Sequence, residues 1–330
     1  MKNNKLYYSV GALLYCPANN PSIADSLLQE KFGTGFSLAL CLEDTINDTA
    51  VPLAEQILVD SIRKIYIGLQ STTFYLPKIF VRVRTPEQIC RLTTLFGSSL
   101  EIICGFIIPK FALDNASAYI NEVIKANEIS SHQLYMMPIY ENSTIIDLRN
   151  RTDILYSLKN KLDSINELIL NIRVGGNDLC HMFGFRRHSN ESIHTIKSIS
   201  NIFADIITIY GMDYVVSGPV WEYYSGDNWD TGLIKEIKDD KLCGFTGKTV
   251  IHPNQISIVN QSYQVSRSDL DDAKSILNWN KNADSFVAGS FAKNRMNEYK
   301  THNNWAQQIL YLAETYGVKD CNTFHLSRDF

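Results

Sequence analysis

Seven polar residues of this chain stand out because each closely follows, or closes, a short apolar run: Glu43, Asp44, Arg82, Lys110, Glu141, Asp178 and His252. Acids in such places can hold a hard cation, and arginine or lysine can clamp an anionic substrate. Glu141 and Asp178 are well separated, and two separated carboxylates suit Mg2+, which takes few protein oxygens and keeps sites for water and substrate. Asp178 is delivered by LILNIRVGGNDLCHMFGFRR (168–187), an apolar run broken by Gly175 and Gly176, with the acid placed where a helix begins. Arg173, Arg186 and Arg187 add positive charge to the same stretch. Arg82 alternates with Val81 and Val83, and a buried unpaired guanidinium is costly, so it needs an acid or a ligand.

Taken singly, each residue has a plainer use. Asp178 reads equally as a helix N-cap, Glu141 as a first-turn acid on a helix dipole, and Glu43 with Arg82 as a structural ion pair. Lys110 reads as an anion contact or, in a metal-independent route, as a Schiff-base nucleophile. His252, before Pro253, reads as a hydrogen-bonded strand-end residue, and Trp221, Tyr223 and Tyr224 as aromatic packing under a loop.

The chemistry requires elements that bring distant residues to one place. Apolar runs predict strands at 11–16, 38–42, 79–83, 104–108, 134–139, from 168, at 214–217 and at 248–251, the seventh having an alternative start near Ile206. Between them lie helical patterns, such as Leu53, Ile57, Leu58, Ile62 and Ile65, and a capping box at Thr85-Pro86-Glu87-Gln88. This alternation predicts a (β/α)8 TIM barrel over residues 1–258, whose strand ends converge on one mouth. Residues 259–330 are then a C-terminal helical extension, with a polar, glycine-containing middle at 284–295 suited to a hinge or lid.

At 330 residues and 45% hydrophobic, the chain can bury roughly three quarters of its unfolded surface. A net charge of −4, with 31 basic and 35 acidic residues, argues against a general nucleic-acid binder. The seven cysteines (16, 41, 90, 104, 180, 243 and 321) form no CxxC pair, which predicts reduced thiols in a cytoplasmic protein and no structural zinc. Lys2, Lys5 and the run to Cys16 imitate a signal peptide, but Tyr15 is too large for the residue before a cleavage site, so the run reads as a first strand. No apolar segment is long enough to span a bilayer. Gly247-Lys248-Thr249 copies the end of a phosphate loop, yet position 242, where its first glycine would stand, is Leu.

Several short motifs recur in a recognisable order: LLYCPA (13–18), LED (42–44), VRVR (81–84), GFIIPK (105–110), MPIYEN (137–142), RVGGNDL (173–179), GFRR (184–187), SGPVWEYY (217–224), GFTGKTVIHPNQ (244–255) and RMNEYKTHNNWA (295–306). In these the chain resembles the superfamily of citrate lyase β subunits, malyl-CoA lyases and HpcH/HpaI aldolases, most of all its divergent branch of TIM-barrel carbon–carbon bond lyases. The resemblance implies that Glu141 and Asp178 bind Mg2+ and that Arg82 holds the oxo-acid part of the substrate. Glu43 and Asp44 would order that arginine and metal-bound waters. Glu298 is the nearest match to an acid that closes over the site, often from a neighbouring subunit. Many relatives carry Arg-Ser where this chain has Gly11-Ala12, which leaves Lys110, Arg173, Arg186 and Arg187 as candidate contacts for a substrate carboxylate or phosphate.

The expected function is a Mg2+-dependent lyase or aldolase for an anionic oxo- or hydroxy-acid, with an acyl-CoA thioester among the candidate substrates, in a homotrimer or hexamer. The alternative is a catalytically reduced binding protein that holds a phosphorylated or nucleotide-like ligand at the barrel mouth.

Overall fold

Eight apolar runs become the parallel strands of one sheet: β1 (Ala12–Pro17), β2 (Phe36–Cys41), β3 (Lys78–Arg82), β4 (Ile103–Ile108), β5 (Tyr135–Tyr140), β6 (Ile172–Val174), β7 (Val216–Ser217) and β8 (Lys248–Val250). The computed structural model describes residues 4–319. The strands pair in the order β7-β6-β5-β4-β3-β2-β1-β8. A parallel bridge between Gly218 and Lys248, with the Gly218 N–H donating to Gly247 O at 3.0 Å, brings the two ends of the sheet together. The expected (β/α)8 barrel is therefore present. All six residues of β2 are buried, as an internal parallel strand requires.

Helices Val51–Leu69, Glu87–Phe96, Ala116–Ile129, Arg151–Asp163, Lys197–Tyr210 and Trp229–Leu242 follow successive strands. Ile206, offered as an alternative start for the seventh strand, lies instead within helix Lys197–Tyr210, where Ile199, Ile202, Phe203, Ile206 and Ile209 form a buried stripe of helical period. The sixth strand is shorter than its apolar run. Residues Asn166–Leu168 turn as a 3-10 helix, and Ile169 makes only an isolated bridge to Met136 before the ladder begins. The expected capping box forms in part: Gln88 Oε1 accepts from the Thr85 N–H, while the helix starts at Glu87 without a side-chain cap.

The chain divides into two compact units, Val10–Val259 and residues 4–9 with 260–319. In the second, helices Arg267–Leu277 and Tyr299–Tyr316 pack through Ala273, Ile276 and Ala306. The segment expected as a hinge or lid, 284–295, holds β9 (Val287–Gly289) and the turn leading to β10 (Met296–Glu298), with which β9 pairs as an antiparallel hairpin. Arg295 fastens it, with Nε donating to Asp272 Oδ2 at 2.6 Å and Nη2 2.8 Å from Asp269. Tyr8 stacks on Tyr311 with ring centroids 5.3 Å apart. The six cysteines among the described residues are free, and Cys321 lies outside them, as does Lys2. Among the described residues no helix is long and apolar enough to cross a membrane.

Candidate active site

Arg82, the last residue of β3, is the centre of the polar cluster at the strand ends. Its Nη2 lies 2.8 Å from Glu43 Oε2, 3.3 Å from Asp44 Oδ2 and 3.1 Å from Glu141 Oε1. Glu43 and Asp44 follow β2, and Glu141 follows β5 directly, so one guanidinium draws together acids from two strand ends. Such a pairing answers the cost of burying the arginine and two of the acids. Nη1 has Cys41 Sγ at 3.9 Å, and Nε is enclosed without a hydrogen-bond partner among the described residues. The arginine therefore acts first as counter-ion to three carboxylates; a bidentate clamp on a ligand would have to use its remaining edge.

Lys110 closes the cluster from β4. It adopts φ +48, a left-handed conformation uncommon outside glycine. This turns its N–H to Glu141 Oε1 at 2.9 Å and its ammonium to Glu43 Oε1 at 2.6 Å and Asp44 Oδ1 at 2.9 Å. Burial alone would push the ammonium down, but the bonds to Glu43 and Asp44 hold it above its ordinary value. A Schiff-base nucleophile needs the opposite shift, and the ammonium is engaged by two carboxylates, so both features disfavour that alternative.

The acids differ in charge preference. Burial raises Glu43, helped by its hydrogen bond with Asp44. Burial also pushes Asp44 up, but Glu43, Lys110 and Arg82 together hold it down at about 2. Glu141 is pushed up to about 7, first by burial and then by the nearby charge of Asp178, against the pull of Arg82.

Asp178 lies in the first turn of helix Gly176–Met182, and the N-cap is Gly175, so the N-cap use of Asp178 is not what the structure shows. Its carboxylate, half-buried, makes no hydrogen bond or ion pair among the described residues. Glu141 Oε2 also has no donor among the described residues, both of the side chain's hydrogen bonds falling on Oε1. Gly175 faces that free oxygen: a Cβ there would stand 2.2 Å from Glu141 Oε2 and 2.3 Å from Glu141 Cβ. Two carboxylates that repel each other in a desolvated site, each with an unanswered oxygen, fit a divalent cation that completes its shell with water and substrate. Among the described residues no group of three or more His, Cys, Asp and Glu is gathered to hold a metal by protein ligands alone.

The three other arginines have separate places. Arg173, in β6, is buried and donates to Thr249 Oγ1 of β8 at 2.6 Å. Arg186 is exposed, 3.7 Å from Glu222. Arg187, expected among the anion contacts, is instead enclosed, with Nε 3.0 Å from Glu236 Oε2 and its guanidinium over the Trp221 ring at 5.3 Å. Glu236 and Asp240, from helix Trp229–Leu242, also hold Lys248 Nζ at 3.0 and 2.7 Å, and Asp240 meets His194 Nε2 at 2.7 Å. Lys248 thus enters β8 as a buried structural cation, in keeping with rejection of the phosphate-loop reading. His252 stacks on Tyr224 at 4.7 Å, and its Nδ1 accepts from the Asn254 N–H. Trp221 is fully buried and Tyr223 donates to Arg187 O at 3.0 Å, so both pack beneath the loop as expected. Glu298 belongs to the second unit, at the end of β10, where its N–H donates to His302 Nδ1.

Sequence reasoning passed over two residues. Gly175 was read as a turn, although its service is to leave room for Glu141. Tyr15 enters the sequence reading as a residue too bulky for a cleavage site and as part of the first strand, yet its ring lies 6.0 Å from the Arg82 guanidinium carbon. A lone tyrosine at an alternate position of a barrel strand, near the mouth, was the available signal.

Comparison with solved structures returns the same architecture. CitE from Mycobacterium tuberculosis, in complex with magnesium, acetoacetate and coenzyme A, is 17% identical with TM-score 0.57, over 93% of this chain and 99% of that one. The citrate lyase β subunit of M. tuberculosis complexed with oxaloacetate and magnesium is 17% identical with TM-score 0.50, over 79% and 99%. RipC from Yersinia pestis is 15% identical with TM-score 0.51, over 80% and 99%. At such identities the likeness establishes the fold. No curated protein matches the chain. The family described as "C-C_Bond_Lyase of the TIM-Barrel fold" matches residues 4–318, and with that span nearly the whole chain is accounted for: it belongs to this family of carbon–carbon bond lyases.

Proposed function

We propose that the protein is a Mg2+-dependent carbon–carbon lyase or aldolase acting on an anionic oxo- or hydroxy-acid. The observation that carries this reading is the pair Glu141 and Asp178, at the ends of β5 and β6, each with a carboxylate oxygen left unanswered by the protein. Family membership and the magnesium and oxo-acids bound by the similar structures support it.

Cleavage beside a carbonyl leaves an electron pair on carbon as an enolate while the other fragment departs as a carbonyl compound. Mg2+, when bound by Glu141 and Asp178, would supply charge stabilisation on the reacting oxygens, worth several kcal/mol. Arg82 and the Lys110 N–H fix Glu141 through Oε1, and its other oxygen lies against Gly175. Asp44, held at about 2, is too weak a base to take a proton and serves to order Lys110 and Arg82. Glu43 accepts from Arg82, Lys110 and the Asp44 N–H and so orders the same two cations. Glu298 is the acid we assign to closure of the site, in the same chain or from a neighbouring subunit of a trimer or hexamer. Arg173, Arg186 and Lys110 are the cations assigned to the substrate's anionic groups, a coenzyme A thioester included.

Calorimetry of Mg2+ binding to wild type and Asp178→Asn, with oxaloacetate, pyruvate and glyoxylate present in turn, tests the reading. Binding that depends on Asp178 and tightens with one acid is expected. Mg2+ affinity unchanged in Asp178→Asn would remove the metal centre and with it the lyase mechanism.

A further inference from the structure

Within the barrel unit, the hydroxyls of Tyr75, Tyr119, Tyr140, Tyr210, Tyr214 and Tyr223 all donate to a protein oxygen. Half-buried phenols generally find such partners, because a desolvated hydroxyl without one is costly. Tyr15, Tyr66 and Tyr135, all half-buried, have no such bond among the described residues, and of these Tyr15 lies beside a buried cation, its ring 6.0 Å from the Arg82 guanidinium carbon. The Tyr15 hydroxyl has no hydrogen-bond partner among the described residues, although the side chain is largely surrounded by protein. It is not sealed either: Arg82 Nε and Asn171 Nδ2 are enclosed orphans, whereas the Tyr15 oxygen is not among the enclosed atoms and remains reachable from solvent.

Its position gives that open donor a meaning. Tyr15 lies in the mouthward half of β1, with Cα opposite Ala39 of β2, and Ala39 is in turn opposite Phe80 of β3, two residues before Arg82. Leu13, two residues earlier on the same face, is opposite Thr249, which Arg173 reaches from β6. The small side chain of Ala39 lets the tyrosine ring lie across the strand between and approach the Arg82 guanidinium. Arg82 and Arg173 are the two cations that act most strongly on the phenol, and Glu141 is also within electrostatic range. An uncharged donor flanked by two cations, beside a metal-binding carboxylate, suits an anionic group that brings its own acceptors.

We propose that Tyr15 is a substrate-contact residue, its hydroxyl donating a hydrogen bond to the carboxylate of an oxo-acid held beside Arg82 and Arg173. The assignment rests on the lyase reading above and adds to it a contact from β1, the strand in which that reading places no functional group. It also separates Tyr15 from the metal: the phenol orders the acid and leaves Mg2+ affinity alone.

The test is Tyr15→Phe, which removes the hydroxyl and keeps the ring. Three quantities are measured on both proteins: the thermal midpoint, the affinity for Mg2+ alone, and the affinity for oxaloacetate, pyruvate, acetoacetate and glyoxylate at saturating Mg2+. The expected result is an unchanged or raised midpoint, Mg2+ affinity within about twofold, and an about tenfold or greater loss of affinity for the acid that wild type binds, as befits a hydrogen bond to a charged group. Equal acid affinity in the two proteins overturns the assignment of Tyr15 and leaves the lyase reading standing. A lowered midpoint with parallel weakening of Mg2+ makes the hydroxyl structural and also overturns it. Wild-type protein that binds Mg2+ and none of the acids overturns the substrate class and Tyr15 together.

Discussion

Gly175→Ala tests whether the end of β6 is shaped by Glu141. The backbone at Gly175 has φ −91 and ψ 76, so alanine meets no left-handed strain. Its added Cβ would instead stand 2.2 Å from Glu141 Oε2 and 2.3 Å from Glu141 Cβ. Because one of those atoms is the Cβ itself, rotating the carboxylate cannot relieve the contact; the end of β5 or of β6 must shift. Overpacking of this kind costs about 1–3 kcal/mol, which in a domain of this size lowers the thermal midpoint by about 2–12 °C. A metal site tolerates displacements of about 0.5 Å, so Mg2+ affinity should fall at least about tenfold. Gly289→Ala, where nothing lies within 4 Å of the new Cβ, is the control and should match wild type. Thermal unfolding without metal and calorimetric titration with Mg2+ give the two readouts. A Gly175→Ala protein with wild-type midpoint and wild-type Mg2+ affinity would refute the reasoning, because the carboxylate would then have room that the structure denies it.

Three further outcomes are expected. Glu141 sits at about 7 against an ordinary 4.5, so the folded protein favours its protonated form; its contribution to metal-free stability is full below about pH 4.5 and is lost as pH rises through about 7. Mg2+ needs the ionised form, so affinity should fall about tenfold from about pH 8 to about pH 6, with proton release on binding measured in buffers of different ionisation enthalpy. Lys248→Met leaves Glu236 and Asp240 short of a fully buried cation, and should cost about 3–5 kcal/mol in denaturant unfolding; a loss below about 1 kcal/mol would show the network to be slack. Borohydride with pyruvate should trap no adduct on Lys110, since a lysine held protonated by Glu43 and Asp44 does not attack a carbonyl; a covalent adduct found by mass spectrometry would reinstate the metal-independent route.

The strands were legible because internal parallel strands are nearly continuous apolar runs, and the polar residues that end them mark the mouth. Glu43, Asp44, Arg82, Lys110 and Glu141 were found this way, and the structure brings them together. The limits are physical as well. Arg187 and Lys248 carry the same charge as site cations, and what distinguishes them is enclosure by Glu236 and Asp240, on a helix whose facing side cannot be known before the barrel is built. The left-handed backbone of Lys110 leaves no trace in a stretch without glycine at that position. The hairpin at 287–298 hides in a polar segment because its strands are three residues long and Val287 and Met296 are exposed, which removes the alternation that announces a strand.

The two polar clusters of the barrel differ in how their charges are answered. Around Lys248 the charges close on themselves. Glu236 answers Arg187, Lys248 and the Ile193 N–H, Asp240 answers Lys248 and His194, and both acids are fully buried. Two acids meet two cations, and neither acid has an oxygen left over. At the mouth the pairing does not close: Glu43, Asp44 and Glu141 meet Arg82 and Lys110, while Glu141 Oε2 and the Asp178 carboxylate are left without a donor among the described residues. Folding alone would select against such unanswered oxygens in a desolvated place, since unpaired buried charge is costly and hydrophobic replacements are available. On the reading proposed above, a divalent cation would relieve both carboxylates and keep coordination sites for a further anion.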